Sequence, residues 1–125
     1  MLRPFDRTLL VCSDGCEEVE ECLPRAGCRV TKVGNGDGAV YKIRREIFDA
    51  AVLISTGKEM DLAETVFNLR DISSSIEIVI VAGCGETGEN VIGTIAATVP
   101  DTILLNLHGL EVLLEAFRDA SVRRA

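Results

Sequence analysis

The sequence predicts a doubly wound α/β fold, in which a five-stranded parallel sheet of order 2-1-3-4-5 lies between two layers of helices. Short apolar runs alternate with amphipathic segments along the chain, which is the pattern of repeated strand–helix units. Residues 50–54 (AAVLI) are apolar without interruption, as expected for a central parallel strand with both faces buried. The connecting segments are long enough for right-handed crossovers between parallel strands.

The elements follow from the spacing of apolar residues. Each predicted strand is a short aliphatic run bounded by polar residues or glycine. The strands span residues 8–13, 28–33, 50–54, 76–82 and 102–105. Each helix has an apolar face at helical spacing. The residues expected to face the sheet are Val19, Cys22, Leu23 and Ala26; Val40, Ile43 and Ile47; Leu62, Val66 and Leu69; Val91, Ile92, Ile95 and Val99; and Leu110, Leu113, Leu114 and Phe117.

Prolines, glycines and one aspartate predict where the helices begin and end. Pro24 and Gly27 should end the first helix, because proline lacks the backbone N–H and glycine favours the turn that follows. Asp37 is a possible N-cap of the second helix. Pro100 should end the fourth helix.

Composition excludes several classes of function. The chain has 125 residues, the length of one domain, and a net charge of −7. This charge argues against direct nucleic-acid binding, because phosphate contacts need a basic surface. No apolar run approaches the roughly 20 residues of a membrane span, and residues 1–7 do not resemble a signal peptide. We therefore expect a cytoplasmic protein without a membrane partner.

The cysteines are odd in number and form no C-x-x-C motif. They are Cys12, Cys16, Cys22, Cys28 and Cys84. We expect reduced thiols that mostly pack in the interior, and a redox or metal role is the weaker alternative.

Three segments carry a family resemblance. Asp37-Gly38 through Asp49-Ala50 has the spacing of a second helix running into a third strand, and Met60-Asp61 follows that strand, with Leu62 after it. Residues 106–114 (NLHGLEVLL) end in a leucine-rich helix. At these separations, residues 7–120 resemble the receiver domain of two-component response regulators, a flavodoxin-like or CheY-like sandwich. Receivers carry Met-Asp-Gly and Lys-Pro at two of these places, where this chain has Met-Asp-Leu and Asn-Leu.

The resemblance also implies where a receiver would hold its phosphorylation chemistry. The two acidic residues that bind Mg²⁺ in a receiver fall on Cys12 and Ser13, and the phosphoacceptor aspartate falls on Ile54. The position of the receiver's hydroxyl residue is Gly83, and the position of its lysine is Asn106. Phosphoryl transfer depends on metal and cationic groups that neutralise charge, and none of these residues supplies one. We therefore expect no catalytic residue, no metal site and no aspartyl phosphorylation.

Two further positions bear on this expectation. A one-residue slip of the alignment would place Asp14 at the acidic pair, which recovers one carboxylate but not two. The aromatic switch position of the fifth strand falls on Ile103.

The chain is thus similar to a degenerate receiver, or pseudo-receiver. The resemblance implies a receiver-like domain at 1–120 and a tail or the start of a linker at 121–125. It implies a non-catalytic signalling module without a cofactor, the N-terminal regulatory domain of a signal-transduction or transcription regulator. We expect it to contact a protein partner, or a second copy in a homodimer, through its fourth predicted helix, fifth strand and fifth helix.

A glycine-rich loop gives an alternative from a different class. Gly83-x-Gly85-x-x-Gly88 follows a strand and precedes a helix, the arrangement of a dinucleotide fingerprint. Phosphate would then lie on the helix N-terminus. However, no carboxylate follows about 20 residues later, where 106–108 reads Asn-Leu-His, and Glu86 and Glu89 would repel phosphate. A small Rossmann-like nucleotide sensor remains the alternative.

Overall fold

The predicted sheet is present, with every strand parallel to its neighbours. In a computed structural model of the chain, the structure describes residues 5–12, 17–54, 62–82 and 102–124. The strands are β1 (Arg7–Val11), β2 (Arg29–Val33), β3 (Ala50–Ile54), β4 (Glu77–Ala82) and β5 (Thr102–Asn106). They form one sheet of order β2-β1-β3-β4-β5. The predicted fold class and strand order are therefore confirmed.

Helices cover both faces of this sheet. In the described residues they are α1 (Glu17–Arg25), α2 (Gly36–Arg45), α3 (Leu62–Ile72) and the last helix (Leu107–Arg124). α1 and the last helix pack on one face, and α2 and α3 pack on the other. The fourth predicted helix, around residues 91–99, lies outside the described residues. The last helix continues through residues 121–124, which the sequence suggested as a tail.

β3 is the centre of the molecule. All five of its residues are buried, which confirms the strand buried on both faces. Ala50, Val52 and Ile54 point toward α1 and the last helix, whereas Ala51 and Leu53 point toward α2 and α3. Aliphatic residues suit this strand because both of its faces are covered by helices and neither face is in contact with water.

The first helix ends as its sequence predicts. α1 stops at Arg25, one residue beyond Pro24, and the backbone N–H of Gly27 donates to the Pro24 carbonyl at 2.9 Å. Gly27 has a φ angle of +92°, a backbone conformation that residues other than glycine rarely adopt.

The N-cap of α2 is Asn35 and not Asp37, which corrects the prediction. Asn35 has an extended backbone, and its side-chain oxygen accepts from the N–H of Gly38 at 2.8 Å. The helix therefore starts two residues earlier than expected, and Asp37 lies in its first turn. A carboxylate there is still favourable, because the helix N-terminus carries partial positive charge.

Of the three residues predicted to face the sheet from α2, Ile43 is buried, Val40 is only partly buried, and the prediction for Ile47 is wrong. α2 ends at Arg45, and Glu46 is extended (φ −134°, ψ 153°), so Ile47 lies beyond the helical face. Its side chain is 82% exposed. Phe48, the next residue, enters the apolar cluster on the α2 side instead.

α2 and α3 approach each other closely at the start of α2. A Cβ atom at Gly36 would overlap the Thr65 side-chain oxygen. A glycine at this position therefore lets α2 lie directly against α3.

Ion pairs line the opposite edge, where the strands begin. The Arg29 guanidinium donates to both carboxylate oxygens of Asp6, at 2.9 and 2.8 Å, and lowers the pKa of that exposed carboxyl. Arg7 pairs with Glu46 at 2.8 Å, and the Arg7 backbone N–H donates to Asp49. These contacts tie β1 to β2 and to the residues before β3.

Candidate functional site at the carboxyl ends of the strands

The register of the sheet brings three of the predicted positions to one edge. Val11 pairs with Leu53, so Cys12 and Ile54 are the next residues along their chains. Ile54 pairs with Val81, and Ala82 pairs with Asn106. In parallel α/β sheets this edge is where ligands bind. The residues that meet here in the described structure are apolar, apart from Asn106.

Ile54 is part of the core rather than of a cleft. Its side chain is 1% exposed and belongs to the apolar cluster that also contains Leu10, Val52 and Val81. Carbon atoms from neighbouring strands therefore surround the place that the phosphoacceptor would occupy. A carboxylate in these surroundings would lose its hydration without gaining a partner.

Cys12 is also buried, and it is disulfide-bonded, which corrects the expectation that all the cysteines are reduced. Cys22 and Cys28 are free thiols. Burial raises the pKa of both, and Glu111 adds to the effect at Cys22, so both thiols remain protonated and weakly nucleophilic.

Asn106 serves as the N-cap of the last helix. Its side-chain oxygen accepts from the backbone N–H of Gly109 at 2.7 Å. Asn35 and Gly38 make the same contact at the start of α2. A Cβ atom at Gly109 would lie 3.2 Å from the Asn106 oxygen, so the glycine also gives the cap room. Asn106 therefore begins a helix where a receiver would hold its lysine.

We expect Asn106→Ala to lower the free energy of unfolding by about 1 kcal/mol, because the Gly109 N–H loses its acceptor. Asn106→Asp keeps an acceptor oxygen and should lie within a few tenths of a kcal/mol of the wild type, roughly the difference between good capping residues. Urea denaturation followed by circular dichroism measures both variants. Equal destabilisation by alanine and aspartate would contradict the capping role.

The remaining predicted positions lie outside the described residues. These are Ser13, Asp14, Gly83, Gly85 and Gly88. The glycine fingerprint and the hydroxyl position therefore stay predictions. Ile103 lies in β5, partly buried against the cluster that contains Ile54.

Two kinds of feature are absent from the described part of the chain. No group of three or more histidine, cysteine, aspartate or glutamate side chains there could hold a metal ion. No described helix has the length and apolar character to cross a membrane.

The structure also shows two surface features that the sequence did not single out. A cleft of about 230 Å³ separates α1 from the last helix and is lined partly by Cys22, Arg25 and Glu111. On the opposite face of the molecule, Tyr41 is exposed on α2 with Arg45 stacked on its ring. The signal for Tyr41 was present, since it is an aromatic residue off the predicted apolar face of a helix.

Comparison with known proteins identifies the fold. No protein-family model and no curated protein matches the chain. A CheY-like response regulator receiver domain protein from Methanospirillum hungatei JF-1 has a TM-score of 0.71 at 14% identity, covering 96% of this chain and 98% of that chain. This chain has the CheY-like receiver fold.

Further solved receiver structures agree. The receiver domain of NtrC4 from Aquifex aeolicus has a TM-score of 0.70 at 14% identity, covering 96% of this chain and 99% of that chain. A CheY-like receiver domain from Methylobacillus flagellatus has a TM-score of 0.70 at 19% identity, covering 90% of this chain and 98% of that chain. The likeness thus extends over nearly the whole of each structure, and at these identities it concerns the fold.

Proposed function

We propose that this chain is a non-catalytic, receiver-like signalling module that acts through protein–protein contacts and is not phosphorylated on aspartate. The observation that carries this proposal is the burial of Ile54 at the end of β3. An aliphatic side chain has no nucleophilic oxygen, and phosphoryl transfer also requires charge stabilisation at the same place. Asn106, engaged as a helix cap, supplies no positive charge there.

Phosphorylation chemistry provides the direct test. The chain is incubated with acetyl phosphate and Mg²⁺, and the products are examined by intact-mass spectrometry. We expect no added phosphoryl group, whereas a receiver domain with its acceptor aspartate, treated in parallel, gains one. Two-dimensional NMR with beryllofluoride and Mg²⁺ should show no shifts beyond those with Mg²⁺ alone. Stoichiometric phosphorylation would contradict the proposal.

The proposed contact surface for a second copy includes β5 and the last helix. Ile103 and Leu105 of β5 are only partly buried, and Val112 of the last helix is exposed. We propose that this side of the domain mediates homodimerisation or binds a protein partner. Light scattering tests the first possibility, with Val112→Glu as the disrupting variant. If the wild-type chain is monomeric at all concentrations, the homodimer is contradicted, and binding of a different protein at this surface is the proposal that is left.

A further inference from the structure

One side of α2 carries four exposed residues and the partly buried Val40. Asp37, Val40, Tyr41, Arg44 and Arg45 line a single depression, and their spacing of three and four residues places them along the helix. We call these five residues the α2 outer stripe. The sheet-facing side of α2 is separate, since Ala39 and Ile43 are buried there.

The arginines of the α2 outer stripe differ from other cations of the domain. Salt bridges to carboxylates occupy five described cationic side chains: Arg7, Arg25, Arg29, Lys32 and Lys42. Arg44 and Arg45 form no such salt bridge with the described residues. The helix dipole explains why cations are favourable in this last turn. It does not explain why they are left without carboxylates in a chain of net charge −7.

Tyr41 gives the stripe an ordered apolar centre. Its side chain is 56% exposed, and the Arg45 guanidinium carbon lies 4.3 Å from the centre of its ring. This cation–π contact holds the Arg45 side chain in place and reduces the entropy that binding would cost. α2 itself packs directly against α3 at Gly36. Tyrosine and arginine are also the residue types most enriched among those that dominate interface affinity.

We propose that the α2 outer stripe binds an acidic peptide segment of a partner protein. Two carboxylates of the segment pair with Arg44 and Arg45, whose planar guanidinium groups suit bidentate contact. An apolar side chain of the segment packs on Val40 and Tyr41. This inference rests on the proposed function as an interaction module, and it names the chemistry of the partner and a surface separate from β5 and the last helix.

A second copy of the chain is the less suitable occupant. The exposed glutamates Glu17 and Glu18 at the start of α1 have the right charge. However, α1 and α2 lie on opposite faces of the sheet. A contact from α2 of one copy to α1 of the next would be head-to-tail, so it would build a ring or a filament rather than a two-fold dimer. A segment from a different protein forms a discrete complex.

Selection from a random peptide library, displayed on phage and panned against the full chain, tests the proposal. We expect enrichment of peptides that combine aspartate or glutamate with an apolar residue. A fluorescein-labelled peptide of the selected sequence is then titrated with variants and followed by fluorescence polarisation. Arg44→Gln with Arg45→Gln should weaken binding at least about tenfold, because two charge-assisted contacts are lost. Tyr41→Gln should also weaken it, and added salt should do the same.

Arg25→Gln is the matched control, because Arg25 is an exposed arginine near the end of α1 on the other face. It should bind the peptide as the wild type does, and circular dichroism checks that every variant is folded. Failure to enrich acidic peptides, or equal binding by the Arg44→Gln, Arg45→Gln variant, would overturn the proposal. The second result would leave the interaction module intact with its surface elsewhere. Salt-sensitive self-association that the double substitution abolishes would identify a second copy as the occupant and also overturn it.

Discussion

Ile54→Asp, which introduces the aspartate of a working receiver, is expected to lower the free energy of unfolding by at least about 3 kcal/mol. The wild-type side chain is 1% exposed among Leu10, Val52 and Val81. The variant loses these apolar contacts and buries a carboxyl group without a partner. Because domains of this size have a total stability of roughly 5–15 kcal/mol, the variant should be strongly destabilised or unfolded. Urea denaturation followed by circular dichroism measures the loss.

Two controls separate the contributions to this loss. Ile54→Val, which removes one methylene group, should cost only about 0.5–1.5 kcal/mol. Ile54→Asn has the size of the aspartate but does not titrate. Burial should raise the pKa of the introduced carboxyl above its ordinary value of about 3.9. The folded aspartate variant then binds its proton more tightly than the unfolded one.

The stability of Ile54→Asp relative to Ile54→Asn should therefore be highest below about pH 4 and should fall as the pH rises through the raised pKa. An aspartate variant as stable as the wild type at neutral pH would show that position 54 is not enclosed. A pH-independent difference between the two variants would show that the carboxyl is hydrated.

Leu110→Ala should also be strongly destabilising and should lower the free energy of unfolding by about 2–5 kcal/mol. Leu110 has no exposed surface and packs in the cluster between the sheet, α1 and the last helix. Removing its side chain leaves a cavity between the helix and the sheet. The same denaturation measurement applies.

Val112, two residues further along the last helix and 52% exposed, provides the matched control. Val112→Ala should change stability by no more than about 0.5 kcal/mol, as is usual for surface positions. Similar losses from the two alanine variants would contradict the observed orientation of the last helix.

The central part of the fold could be predicted from residue patterns alone. β3 has the predicted bounds of residues 50–54, and α3 contains the predicted apolar positions Leu62, Val66 and Leu69. Both elements have strong signals, namely an unbroken aliphatic run and an apolar helical face in which Val66 and Leu69 are buried. Alternation of strands and helices then leaves few arrangements of the sheet.

Helix ends were harder to predict, for a physical reason. Asn35 and Asp37 are both suitable N-caps by residue type, and only the position of the Gly38 N–H distinguishes them. Ile47 is exposed because α2 ends before it: the extended residue Glu46 takes Ile47 off the apolar face of the helix.

The sequence predicted which residues lie at the candidate site but not the structural role that each of them has. Matching the receiver pattern placed Ile54 and Asn106 at the ends of two strands, and in the structure these residues end β3 and β5 at one edge of the sheet. The pattern could show only that reactive groups were missing. It could not show that Asn106 caps a helix, since this depends on the last helix starting at the residue that follows β5.

The buried edge at Ile54 has a consequence for how such a domain can change over generations. Each of three positions there now has a structural role, since Ile54 fills the core, Asn106 starts a helix and Cys12 is cross-linked. Phosphoryl chemistry at this edge would need several polar groups at once, and a carboxylate placed alone at position 54 would be buried without a partner and would destabilise the fold. A single substitution toward this chemistry at position 54 should therefore lower the stability of the domain before it provides any activity. Selection can meanwhile act on outer surfaces such as the α2 outer stripe, where substitutions cost little stability.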